Sequence, residues 1–171
     1  LLNNFKRIMK KMNCFIFCND TLIPYYTMWA VKNNKKFTVL TWEKPLSILN
    51  RNRFSQNLEY IVRIYDNGTA LNLLDIKQNP SKKQYYSKTR KFNTPKNKTH
   101  PTEKPLEYLK GIIELTTIEN DLVLDCFMGS GSTGVACNDL KRNFLGIEVN
   151  NKYFNIAKEN IEKNHSQTKL F

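Results

Sequence analysis

The stretch from 121 to 149 constrains this chain more than any other. Leu122-Val123-Leu124 is a short apolar run. Asp125-Cys126-Phe127-Met128-Gly129-Ser130-Gly131-Ser132-Thr133-Gly134 follows it, and then Phe144-Leu145-Gly146-Ile147-Glu148-Val149. This order predicts a buried strand at 122–124, a glycine turn, a helix opening near Ser132 and a strand over 144–149, the first half of a nucleotide-binding α/β unit. Glycines let the backbone turn sharply and approach a ligand without a Cβ clash. The helix start behind them presents amide donors. Glu148 falls at the end of the second strand, about 20 residues on, where a carboxylate can accept both hydroxyls of a ribose.

The spacing Gly129-x-Gly131-x-x-Gly134 also matches the dinucleotide fingerprint, so the glycines alone do not choose the ligand. Two features argue against a nicotinamide-dependent oxidoreductase. Asp125 faces the crevice, where its charge repels a pyrophosphate and attracts an amino group. Only 22 residues follow Val149, too few for the further strands of a dinucleotide domain. The rest of the sheet is therefore expected upstream, in a permuted order.

Upstream, Leu2, Phe5, Ile8, Met9 and Met12 recur at helical spacing. Cys14–Cys18 is an apolar run that predicts a buried strand. Asn19-Asp20-Thr21 supplies cap chemistry for a helix to about Lys32 that buries Leu22, Tyr26, Trp29 and Ala30. Phe37–Trp42 and Glu59–Tyr65 predict strands, the latter closed by the turn signal Asp66-Asn67-Gly68. Leu106, Leu109, Ile112 and Ile113 form one side of a further helix. Asn150 caps a final one through Tyr153, Ile156, Ala157 and Ile161. Residues 69–99 change character: lysines and Arg90 crowd with Tyr85, Tyr86 and Phe92, and Pro80 and Pro95 break any long helix. This predicts a basic, aromatic loop region.

The net charge of +12 and pI near 9.6 favour a polyanionic partner, nucleic acid first. Cys14, Cys18, Cys126 and Cys137 form no C-x-x-C pair and sit near no His cluster, so neither zinc nor a disulfide framework is expected; no metal is called for. Cys14 and Cys18, four apart in a strand, are expected on one face as small core residues. No apolar run approaches the roughly 18 residues needed to cross a bilayer, and the N-terminus is not a signal peptide. A cytoplasmic protein with no membrane partner is expected.

His100-Pro101-Thr102-Glu103-Lys104-Pro105, then Asp125 to Thr133, then Gly146-Ile147-Glu148, resembles the permuted N4/N6 amino-DNA methyltransferases. The resemblance covers nearly the whole chain except the basic loop. It implies a circularly permuted, Rossmann-like α/β fold that binds S-adenosyl-L-methionine, with no metal. It also implies methyl transfer to an exocyclic amino group of duplex DNA, adenine N6 favoured over cytosine N4, in a restriction-modification system with an endonuclease partner. Carried over, Asp125 sits near the methionine amino group; Phe127, Gly129 and Gly131 form the cofactor turn; Ser132 and Thr133 open the helix; and Glu148 binds the ribose. Thr102, Glu103 and Lys104 lie over the methionine end, and His100 is a loop residue without a catalytic role. Lys82, Lys83, Tyr85, Tyr86, Lys88, Arg90 and Lys91 become the candidate DNA contacts. Trp42 and Lys44 resemble a W-x-K pattern of the family, with core packing of Trp42 equally compatible. The expected layout is one partial methyltransferase domain over 1–171: catalytic-region remainder at 1–68, basic loop at 69–99 and cofactor region at 100–171.

One departure stands out. The family's catalytic tetrapeptide is Asp, Asn or Ser, then Pro-Pro, then an aromatic, and this chain contains no Pro-Pro. Ile23-Pro24-Tyr25-Tyr26 and Asn79-Pro80-Ser81-Lys82 are not substitutes. The expectation is N-terminal truncation before the tetrapeptide, with loss of a central strand between those at 122–126 and 14–18 and with a chain inactive alone. The alternative is a non-catalytic DNA- or cofactor-binding remnant.

Overall fold

A computed structural model describes residues 1–45, 57–72, 87–93 and 103–168. Two compact units are present. One comprises Leu1–Leu71 with Tyr86–Phe92, the other Asn72–Tyr85 with Asn93–Phe171.

The first unit is a sheet with helices on one face. Its elements are α1 (Leu2–Ile8), β1 (Asn13–Cys18), a 3₁₀ turn (Asp20–Leu22), α2 (Ile23–Lys32), β2 (Lys36–Glu43), β3 (Leu58–Tyr65) and β4 (Thr89–Lys91). The strand order is β1-β3-β2-β4. β3 pairs antiparallel with both neighbours, Val62 lying opposite Ile16 on one side and Val39 on the other. Alternation along β3 sends Val62 and Ile64 into a core with Leu2, Met12, Cys18 and Ala30. Cys14 and Cys18 both join that cluster, as expected for one face of a strand. Burial, partly offset by a hydrogen bond with the Ile64 backbone, pushes the Cys14 thiol up to about 11, so it behaves as a small apolar residue.

Three local expectations need correction. The stripe from Leu2 to Met12 is helical only to Ile8; Met9 is extended, and Met12 is buried from the approach to β1. Asn19-Asp20-Thr21 does not cap α2. Asp20 instead accepts from the Thr21 N–H at 2.9 Å within the 3₁₀ turn. That turn leaves Leu22 exposed, while Pro24 occupies the first helical turn as expected. Finally, the basic segment is not loop throughout. Thr89–Lys91 adds to β2 in parallel, with Arg90 beside Trp42.

The turn at Asp66-Asn67-Gly68 forms as expected, with Gly68 at φ +71° and Thr69 N–H donating to Asp66 O at 3.1 Å. Asp66 does more than turn the chain. Its carboxylate accepts from Met12 N–H at 2.7 Å and pairs with Lys35, tying the ends of β3, β1 and β2 together. The Lys35 hydrogen bond, then that from Met12, holds this carboxyl below the usual carboxylate range.

The second unit contains α3 (Leu106–Thr116), β5 (Leu122–Asp125), α4 (Ser132–Asp139), β6 (Asn143–Gly146) and α5 (Asn151–Thr168). β5 and β6 pair in parallel, Val123 beside Phe144 and Leu124 beside Leu145. The α3 stripe buries Leu109, Ile112 and Ile113, as the periodicity predicts, and adds Tyr108 and Leu115. Lys110 of α3 binds Asp139 of α4 at 2.8 Å. Gly134 lets α4 approach closely, since a Cβ there would come within 2.5 Å of Ile161 on α5 and 2.8 Å of Phe144. Two corrections arise here. β6 ends at Gly146 rather than Val149. Leu122 and Leu145, on the other side of the ribbon from Phe144, are exposed, so β5 is not wholly buried among the described residues. β5 and β1 each have one strand neighbour among those residues.

Candidate functional site

The turn Cys126–Gly131 joins β5 to α4, and its shape follows from two glycines and two carboxylates. Gly129 and Gly131 adopt φ of +52° and +82°, where other L-residues are strained. Gly131 is also a point of close approach, because a Cβ on it would lie 3.0 Å from Ala157 of α5. Its N–H donates to Met128 O at 2.8 Å, which closes the turn, and its carbonyl accepts from Val135 N–H at 3.0 Å, which starts α4. Ser132 and Thr133 therefore open the helix, as expected from sequence.

Asp125 is the last residue of β5. One of its carboxylate oxygens accepts from Phe127 N–H at 2.9 Å, the other from Thr133 Oγ1 at 2.6 Å. The strand end, the turn and the first turn of α4 are thus held by one side chain. Phe127, between Asp125 and the glycines, projects an exposed ring.

Glu148 closes the turn from the other strand. Because β6 stops at Gly146, Glu148 lies in the following loop and its side chain reaches back. Its Oε2 accepts from Gly129 N–H at 3.0 Å and its Oε1 from Asn150 N–H at 2.9 Å. Met128 N–H donates to Ile147 O at 3.1 Å alongside. Asn150 then caps α5, its Oδ1 accepting from Lys152 N–H at 3.0 Å. Two acidic groups thus flank a turn of left-handed glycines in front of a helix start.

Glu103 and Lys104 lie half-buried in the segment that leads into α3. Thr102 and His100 fall outside the described residues, as do Lys82, Lys83, Tyr85 and Tyr86. Of the basic segment, Lys88 and Lys91 are exposed, Lys91 carrying a 3.4 Å ion pair to Glu43. Arg90 is buried, with Nε donating to Ser87 O at 3.3 Å, so its guanidinium is withdrawn from solvent rather than offered as a fork. Trp42 is buried too, its Nε1 donating to Phe92 O at 2.9 Å and its ring lying under the Lys44 ammonium at 4.9 Å.

Sequence reading missed the bond from Thr133 to Asp125. A hydroxyl eight residues beyond a strand-end carboxylate, in the first turn of the next helix, is the signal that could have found it. Among the described residues no three His, Cys, Asp or Glu side chains cluster as metal ligands, and no helix is long and apolar enough to cross a membrane.

The chain as a whole is similar to known proteins. The family model for N6/N4 methyltransferases, described as DNA methylase, matches residues 1–159. The Type II methyltransferase M2.LlaDCHI of Lactococcus lactis subsp. cremoris is 32% identical over 171 residues, an alignment covering 92% of this chain and 63% of that protein. M2.DpnII of Streptococcus pneumoniae is 31% identical over 166 residues, covering 89% of this chain and 62% of that one. The chain thus spans somewhat less than two thirds of these relatives' length. The crystal structure of the M1.HpyAVI–SAM complex superposes with a TM-score of 0.69 at 32% identity, over 86% of this chain and 73% of that one. The match over most of the chain, with the strand, glycine turn and helix order of the second unit, establishes that this chain is a member of the N6/N4 DNA methylase family, with its Rossmann-like α/β fold.

Proposed function

We propose that this chain carries the S-adenosyl-L-methionine-binding part of an amino-DNA methyltransferase. The reaction is transfer of a methyl group to an exocyclic amino group of a base in double-stranded DNA, adenine N6 favoured over cytosine N4. The single observation that carries the cofactor assignment is the pair of carboxylates, Asp125 and Glu148, bonded into a turn of left-handed glycines. A pyrophosphate would meet the negative charge of Asp125, whereas an α-ammonium is matched to Asp125 and a ribose diol to Glu148.

The residues present fit the cofactor. A carboxylate has about four acceptor sites, and the ribose hydroxyls are matched to the carboxylate of Glu148. Asp125 supplies negative charge for an ammonium while holding the turn through Thr133. Gly129 and Gly131 keep the approach clear of side chains, and the ring of Phe127 offers an apolar wall. When bound, the cofactor supplies a sulfonium-activated methyl group, which needs no metal. Glu103 and Lys104 flank the methionine end in this reading. Lys88 and Lys91, with Lys82, Lys83, Tyr85 and Tyr86, contact DNA, the lysines neutralising phosphates. The protein acts in the cytoplasm beside a restriction endonuclease.

The absence of Pro-Pro from the sequence supports a second statement about this chain. In this family that motif holds the extruded base, so the chain by itself binds without transferring. The test is calorimetry of the whole chain with S-adenosyl-L-methionine and with NAD, beside an assay of tritiated methyl transfer to duplex DNA. The expected result is binding of the first ligand alone and no label in DNA. Binding of NAD instead would overturn the cofactor reading. Label in DNA would overturn the second statement.

A further inference from the structure

The final helix does more than cover the second unit. Asn160, more than two turns into α5, donates from Nδ2 to the carbonyl of Ser130 at 3.0 Å. Ser130 lies between the two left-handed glycines and is itself buried. One turn earlier on the same helix, Ala157 lies so close to Gly131 that a Cβ there would meet it at 3.0 Å. The middle of the turn thus has few ways to move, and the Ser130 carbonyl is pinned by a residue thirty positions away.

We propose that Asn160 is a positioning residue for cofactor binding: by holding the Ser130 carbonyl toward α5, it keeps the Gly131 N–H on the Met128 carbonyl and so holds the turn in the closed shape that the ligand meets. This rests on the reading of the turn as the cofactor site. The physical reason is peptide planarity. The Ser130 carbonyl and the Gly131 N–H belong to one peptide unit and point in opposite directions, so fixing one fixes the other. The observed pair of bonds, Asn160 to Ser130 O at 3.0 Å and Gly131 N–H to Met128 O at 2.8 Å, holds that unit from both ends. Glycines on either side of Ser130 give this peptide unusual freedom to flip, so an external tether has more to restrain here than at an ordinary residue.

The fold supplies a matched control. Asn138 of α4 donates from Nδ2 to Ile161 O of α5, also at 3.0 Å, a bond that involves no residue of the turn. Asn138→Ala and Asn160→Ala each remove one amide-to-carbonyl bond onto or from α5, but only the second frees the Ser130 peptide. Asn160→Asp keeps the size and loses the donor, which guards against a packing defect in the alanine variant.

The experiment measures S-adenosyl-L-methionine affinity by calorimetry and thermal midpoint for the whole wild-type chain and the three variants. The expected result is affinity weakened about five-fold or more in Asn160→Ala and Asn160→Asp, with Asn138→Ala near wild type and midpoints of Asn160→Ala and Asn138→Ala lowered alike. Unchanged affinity in either Asn160 variant overturns the proposal. So does equal weakening in Asn138→Ala, which would make the effect one of general stability. A wild-type chain that does not bind the cofactor overturns the site reading itself and the proposal with it.

Discussion

At Glu148, backbone N–H groups from Gly129 and Asn150 converge on the two oxygens of one carboxylate. A glutamine there has one oxygen and one NH2, so whichever way it turns it presents a donor to a donor. Glu148→Gln therefore loses at least one bond and the charge while keeping the shape. The expected outcome is a roughly ten-fold or greater loss of S-adenosyl-L-methionine affinity, read by calorimetry; wild-type affinity would remove Glu148 from the site. Gly131 is tested through stability. Alanine there carries the strain of φ +82° and a Cβ 3.0 Å from Ala157. Gly131→Ala should cost about 2 kcal/mol in a denaturant titration, and a neutral result would show that the turn relaxes freely. Both residues were visible in the sequence from local pattern. Arg90 was visible too, but as a candidate for reading bases. Its burial beside Trp42 depends on a strand pairing with a partner 48 positions away, which no local pattern contains.

At the scale of elements, periodicity located the main strands and helices but not their ends. The final strand stops two residues before Glu148 because the chain turns toward α5, and that is what lets the carboxylate reach Gly129. Strand β4 was missed because three residues carry no readable period. The tie between strand ends at Asp66 has a pH signature. Its folded carboxyl titrates below the usual range because Lys35 and Met12 N–H bind the ionised form. The sign follows: the stabilisation is complete above the unfolded carboxylate pKa and fades as pH falls through the lower folded value. Asp66→Asn should lower stability at neutral pH by about 1 kcal/mol, since the site is partly exposed, and should flatten the acid limb of the stability curve. Urea titrations from neutral pH down to about pH 3 check this; parallel curves for wild type and variant would refute it.

For the molecule as a whole, a charge of +12 favours a polyanionic partner, and DNA binding through phosphate contacts falls steeply with salt. Replacing Lys88 and Lys91 by glutamine should weaken binding to every duplex alike and reduce the slope of log affinity against log salt by about 1 for each phosphate no longer neutralised. Fluorescence anisotropy over a salt series measures it, and an unchanged slope would exclude both lysines from the phosphate interface. Class and family were legible in the sequence because they rest on short-range features: glycines where the backbone must be left-handed, apolar periods of two and 3.6, and ordered blocks at fixed spacing. Tertiary structure decided which charges remain in solvent, where Glu148 sends its oxygens, and that Asn160 reaches the turn. Those outcomes join residues tens of positions apart, and chain proximity carries no information about them until the helices and strands have packed.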